Sequence, residues 1–151
     1  MAKISELLAA EAIILELGAK EKLGVINELV KPLAESGAIT NPEEFFAAIV
    51  RRENLESTGI GLGVAIPHAR TAAVARIVLA FGRSDEGVDF SSLDGKLSHL
   101  VFLIAAPEQQ KTDYIVTLAR LSKLLRRDDV RAALNKAESA EEVIRVIREN
   151  E

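Results

Sequence analysis

Apolar residues along this chain fall into two spacings. From Lys20 to Ser36, Leu23, Ile26, Leu29, Val30 and Leu33 share one face at helical period, and Gly37 follows as a stop. "NPEE" at Asn41–Glu44 begins a second helix, with Asn41 as N-cap, Pro42 at the first helical position and Glu44 closing a capping box. That helix is predicted to run to about Asn54. Asp113–Arg126 is a further amphipathic helix and Asp128–Lys136 a shorter one. Ser139 with Glu142 forms a capping box for a last helix through Arg148. Runs without that period read as strands: "AIILEL" at Ala12–Leu17, "VARIVLAFG" at Val74–Gly82, and "LSHLVFLIAA" at Leu97–Ala106. The last is a central strand stopped by Pro107, and "SSLDGK" before it is a turn. Ile4–Ala10 reads as a helical turn and Leu55–Arg70 as loop. The order predicts an α/β fold, a three-layer α/β/α sandwich around a mixed sheet of four to five strands. No repeat, low-complexity segment or linker interrupts it, so residues 1–151 read as a single domain.

Composition narrows the function. Hydrophobic residues make up 48% of the 151, enough for a proper core. There are 19 basic and 23 acidic side chains, a net charge of −4, which argues against nucleic acid or an anionic membrane as partner. The local basic run at Lys123, Arg126, Arg127 and Arg131 reads as a solvated helix face. The absence of cysteine excludes disulfides, thiolate catalysis and Cys-based zinc sites. No secretory leader or membrane-spanning run is visible, so the expected compartment is the cytoplasm.

One stretch fits neither spacing: "STGIGLGVAIPHAR", Ser57–Arg70. Gly59, Gly61 and Gly63 permit positive φ and close backbone approach, and their amides could cradle a phosphate. Neither the Walker spacing nor G-x-G-x-x-G is present, so a turn-rich structural loop explains the glycines equally well. Pro67 stiffens the backbone before His68, and a neutral imidazole is a competent nucleophile near pH 7. A metal site is not expected: the only other histidine is His99, inside a strand, where a structural role is expected. No G-x-S-x-G supports a serine hydrolase.

"RRENLESTGIGLGVAIPHAR" resembles the active-site signature of phosphotransferase-system (PTS) enzyme IIA domains of the fructose/mannitol type, which include the stand-alone nitrogen-regulatory proteins. The resemblance continues through "VDFSSLDGKLSHLVFLIAAPE" and "LARLSKLL" and covers nearly the whole chain. It implies that His68 accepts a phosphoryl group from the carrier protein HPr. It implies that Arg52, of the Arg-Glu pair, stabilises the charge on that group, and that Ser57 and Thr58 bond the phosphate or His68. Taken from the residues alone, Arg52 is a cation at a helix C-terminus and Ser57 and Thr58 are turn formers. The family commonly has a second histidine seven residues after the proline of "APE"; here that position is Tyr114, which has a hydroxyl but no positive charge.

The expected function is a phosphocarrier in a PTS phosphorelay, regulatory and of nitrogen type. The alternatives are a sugar-specific subunit passing phosphoryl to a IIB permease domain, or a non-catalytic interaction module on the same fold, which the retained His68 argues against. Expected partners are HPr and either a IIB domain or regulated target proteins. No cofactor, metal, nucleic acid or membrane insertion is expected.

Overall fold

The computed structural model describes residues 2–151. The elements in chain order are α1 (Ile4–Leu7), β1 (Leu8–Ile14), α2 (Lys22–Glu35), α3 (Pro42–Leu55), β2 (Gly59–Gly61), β3 (Val64–Ala65), β4 (His68–Thr71), β5 (Val78–Val88), β6 (Ser98–Pro107), α4 (Lys111–Leu125), α5 (Asp128–Lys136) and α6 (Ala140–Asn150). The strands form one mixed sheet in the order β1-β5-β6-β3-β2, with β4 also paired to β6. β5 and β6 are antiparallel. β1 runs parallel to β5, β3 and β4 run parallel to β6, and β2 folds back on β3.

The central strand is β6, as its continuous apolar run predicts. Its side chains alternate between two cores. Val101, Leu103 and Ala105 pack with α2 and α3, whereas Leu100, Phe102 and Ile104 pack with α1, α4, α5 and α6. Helix layers on both faces follow from this two-sided apolar strand. The expected N-caps hold, Asn41 Oδ1 accepting from the Glu44 amide at 3.1 Å and Ser139 Oγ from the Glu142 amide at 3.1 Å, but neither capping box closes: the Glu44 carboxylate accepts from the Asn41 side-chain amide and the Glu142 carboxylate from the Glu138 amide.

Four expectations change. Among the described residues the sheet has six strands, not four to five, because the segment read as loop after Leu55 supplies β2, β3 and β4. These are two to four residues long and broken by Gly and Pro, too short to show a period. The first strand is Leu8–Ile14 rather than Ala12–Leu17, so the opening helical turn ends at Leu7. Its register comes from β5, Leu8 opposite Leu79 and Ile13 opposite Phe81 with an irregularity between, a tertiary choice that local apolar density does not show. The next strand is Val78–Val88 rather than Val74–Gly82. Residues 73–75 are instead tied to the connection between α2 and α3, through Thr40 N–H to Ala73 O at 2.7 Å and Ala75 N–H to Ala38 O at 2.8 Å. The polar end of β5 is carried by antiparallel pairing with β6 as far as Val88 opposite Ser98. Helix α4 begins two residues before Asp113, at Lys111.

Candidate functional site

β4 places His68. The strand pairs with the C-terminal half of β6, His68 opposite Ile104 and Thr71 opposite Pro107, so the histidine sits where β6 hands over to α4. Alternation sends Ala65, Ala69 and Ala73 into the α2/α3 core. His68 and Arg70 therefore share the other face of β4. Tyr114, in the first turn of α4, meets His68 there with ring centroids 5.8 Å apart.

His68 is only 7% exposed. Its Nδ1 lies 2.6 Å from the Ile66 carbonyl oxygen. A carbonyl only accepts, so Nδ1 carries the hydrogen and the lone pair of the neutral ring is on Nε2. Burial holds the imidazole pKa below its ordinary value and the Arg52 charge pushes the same way, against the Ile66 hydrogen bond and the Glu53 charge. The result is a neutral ring with one unprotonated nitrogen at neutral pH.

The ring is anchored to α3 by a chain of hydrogen bonds. Glu53 is buried. It accepts from the Thr58 amide at 3.1 Å and from the Thr58 hydroxyl, and pairs with Lys22 Nζ at 3.3 Å. The Thr58 carbonyl accepts from the Ile66 amide at 2.9 Å, and the Ile66 carbonyl holds His68. Ser57 Oγ donates to the Phe90 carbonyl and accepts from the Gly59 amide at 2.9 Å. The hydroxyls of Ser57 and Thr58 thus hold backbone and carboxylate in place.

An open cleft of about 600 Å³ lies between α3, β4 and α4, lined by Arg51, Arg52, Leu55, Ala69, Arg70 and Tyr114. Arg52 reaches it from the last turn of α3, where its Nη1 donates to the Glu56 carbonyl at 2.7 Å. Arg70 donates to the Glu108 carbonyl. Burial pushes the Tyr114 phenol up to about 12, against the charges of Arg52 and Arg70, so it is a neutral hydroxyl at pH 7.

The structure brings His68, Arg52 and Tyr114 together but leaves Gly61 and Gly63 elsewhere. The Gly63 carbonyl accepts from the His99 and Leu100 amides, while His68 faces Ile104. Four to five residues of β6 separate the two levels, roughly 13–16 Å at strand rise. Gly61 (φ +85°) and Gly63 (φ +78°) make a hairpin, with the Leu62 amide bonded to Asp94 Oδ2 at 3.0 Å. Gly59 lies against Ser92 and Phe90, too close for a Cβ. The phosphate-cradle expectation for these glycines is corrected accordingly: in an extended chain, closeness in sequence is distance in space.

Glu53 and Arg70 are the site residues not singled out from the sequence. Arg70 was signalled by the His-x-Arg spacing, which on a strand means one face. His99 bonds the Ser84 carbonyl through Nδ1 at 2.9 Å, well away from the cleft. In the basic run, Arg127 pairs with Asp129 and Arg131 with Asp128. Among the described residues no cluster of His, Asp and Glu could hold a metal ion, and no helix is long and apolar enough to cross a membrane.

This fold, with a neutral, oriented histidine beside arginines, agrees with what comparison shows. Residues 6–150 match the family described as "Phosphoenolpyruvate-dependent sugar phosphotransferase system, EIIA 2". The chain belongs to this family. An EIIA 2 relative, the PTS system fructose-specific EIIABC component of Bacillus subtilis, is 46% identical over 149 residues, covering 99% of this chain and 24% of the relative's length. The PTS system fructose-specific EIIA component of Haloferax volcanii is 37% identical, covering 97% of this chain and 95% of that protein. The nitrogen regulatory protein IIA-Ntr of Neisseria meningitidis superposes with a TM-score of 0.88 at 33% identity, over 95% of this chain and 98% of that one. EIIA 2 membership makes this chain a phosphotransferase-system component of nitrogen-regulatory or fructose/mannitol type.

Proposed function

We propose that this protein is a phosphocarrier whose His68 takes a phosphoryl group at Nε2 from an HPr-type donor. The observation that carries the reading is the hydrogen bond from Nδ1 to the Ile66 carbonyl, which leaves Nε2 as the nucleophile. In the transfer, the donor P–N bond breaks as the Nε2–P bond forms. The electron pair of the broken bond stays on the donor nitrogen, and the Nδ1 hydrogen stays on His68. Arg52 stabilises the charge on the transferring group from the α3 side of the cleft. Enzyme I, phosphoenolpyruvate and an HPr-type carrier should load one phosphoryl group, detected by mass spectrometry at alkaline pH and lost in His68→Ala. Full loading of that variant, or loading at His99, overturns the assignment.

The phosphoryl group then has two destinations to distinguish. A regulatory role, in which phosphorylation of His68 switches binding to target proteins, is supported by the near-complete superposition on a IIA-Ntr structure. Delivery to a IIB domain is supported by the 46% identity to a fructose-specific EIIABC chain. Adding a fructose-type IIB domain to the phosphorylated protein separates them: loss of the label to IIB supports delivery, retention supports the regulatory role. On either reading we place the protein in the cytoplasm, where its donor would be found.

A further inference from the structure

The charges that act on His68 itself are those of Arg52 and Glu53, both on α3, and the cleft beside it is unevenly charged. Arg51 and Arg52 line the cleft from α3. The wall formed by β4 and α4 has Tyr114, which stays neutral, and one cation, Arg70. Arg70 lies two residues after His68 on the same strand, on the same face and roughly 7 Å along it. Several other cations, including Lys22, Arg127 and Arg131, are ion-paired with a carboxylate. Arg70 donates through Nη1 to the Glu108 carbonyl, at the turn leading into α4. A neutral acceptor fixes the guanidinium without cancelling its charge, and its remaining N–H groups are available to another acceptor.

A phosphoryl group in flight spreads its charge over three equatorial oxygens. Arg52 reaches it from α3. We propose that Arg70 is the second phosphoryl-binding cation, meeting those oxygens from the β4/α4 side, in the place where Tyr114 offers only a hydroxyl. The inference rests on His68 being the phosphoryl acceptor, and it adds a catalytic residue to that reaction.

Two measurements test it. In the first, rates of His68 loading from the enzyme I and HPr system are compared for wild type, Arg70→Lys and Arg70→Gln. Arg70→Gln should lower kcat by tenfold or more with the KM for the donor carrier changed less than threefold. Arg70→Lys, which keeps the charge and loses the fork, should fall between. In the second, inorganic phosphate is titrated into the unphosphorylated protein while the His68 ring resonances are followed by NMR. Arg70→Gln should need at least tenfold more phosphate to reach the wild-type shift. Wild-type kcat in Arg70→Gln, or an unchanged phosphate response, overturns the role of Arg70. Wild-type protein that responds to phosphate through Arg70 but takes no label defeats the proposed donor and leaves Arg70 standing as the anion contact.

Discussion

Glu53 holds Thr58 by both its amide and its hydroxyl, and through Thr58 it holds the peptide that orients His68. Removing that carboxylate strands two donors and Lys22. Glu53→Ala should cost about 3 kcal/mol of stability, as breaking a buried ion pair does. For a chain of this size that is roughly 6–12 °C in Tm, read by thermal denaturation. Thr58→Val keeps the amide bond and loses the hydroxyl, so its cost should be about 1–2 kcal/mol. If Thr58 is structural, the folded variant should load phosphoryl within about threefold of wild type. A loss beyond tenfold at unchanged stability would show that Thr58 acts on the phosphate instead.

Arg52→Ala is expected to slow loading by one or more factors of ten, the effect of losing a charge-stabilising donor worth a few kcal/mol. It should also lower stability slightly, by about 0.5–1.5 kcal/mol, since it frees the Glu56 carbonyl at the end of α3. Early unfolding with normal transfer in the folded fraction would assign Arg52 to capping alone.

The depressed pKa of His68 has a definite direction with pH. The native ring resists protonation below its ordinary value of 6.5, chiefly through burial. Loading should therefore hold its rate as pH falls through 6.5, where a solvent-exposed imidazole would be half protonated. Stability moves oppositely: the unfolded chain takes up a proton the native state resists, so the contribution is whole above 6.5 and is lost as pH falls below it. Urea unfolding of wild type and His68→Gln between pH 8 and 5 should show wild type losing more stability. Parallel curves would place the titration elsewhere.

Tyr114→His should raise the loading rate, more at pH 6 than at pH 8, because an imidazole beside His68 can become cationic where the phenol cannot. Equal rates at both pH values in a folded variant would make Tyr114 a packing residue only.

Much of this architecture is legible along the chain because local chemistry and tertiary context agree. Asn41 and Ser139 cap where they should, and the uninterrupted apolar run of β6 announces a strand buried on both faces. Legibility fails where a partner far off in sequence makes the choice. β1 takes its register from Leu79 and Phe81, and the Val74 segment is captured by the connection between α2 and α3. His68 stands out because Pro67 and the glycines frame it, yet those glycines serve a hairpin fastened by Asp94. Glu53 reads as an ordinary acidic residue late in a helix. Only the fold supplies Thr58 and Lys22 as its partners.

The two cores have a consequence for how distant substitutions would be felt. His68 is seated on the face that packs with α4, while Arg52 rides on α3, which belongs to the opposite layer. The cleft beside His68 is a seam between two separately filled halves, and its width is set by how well each half is filled. A methylene removed from Phe45 or Ile49 on one side, or from Leu121 or Leu125 on the other, would move one partner relative to its counterpart, so the chemistry would register the repacking of a residue that never touches it.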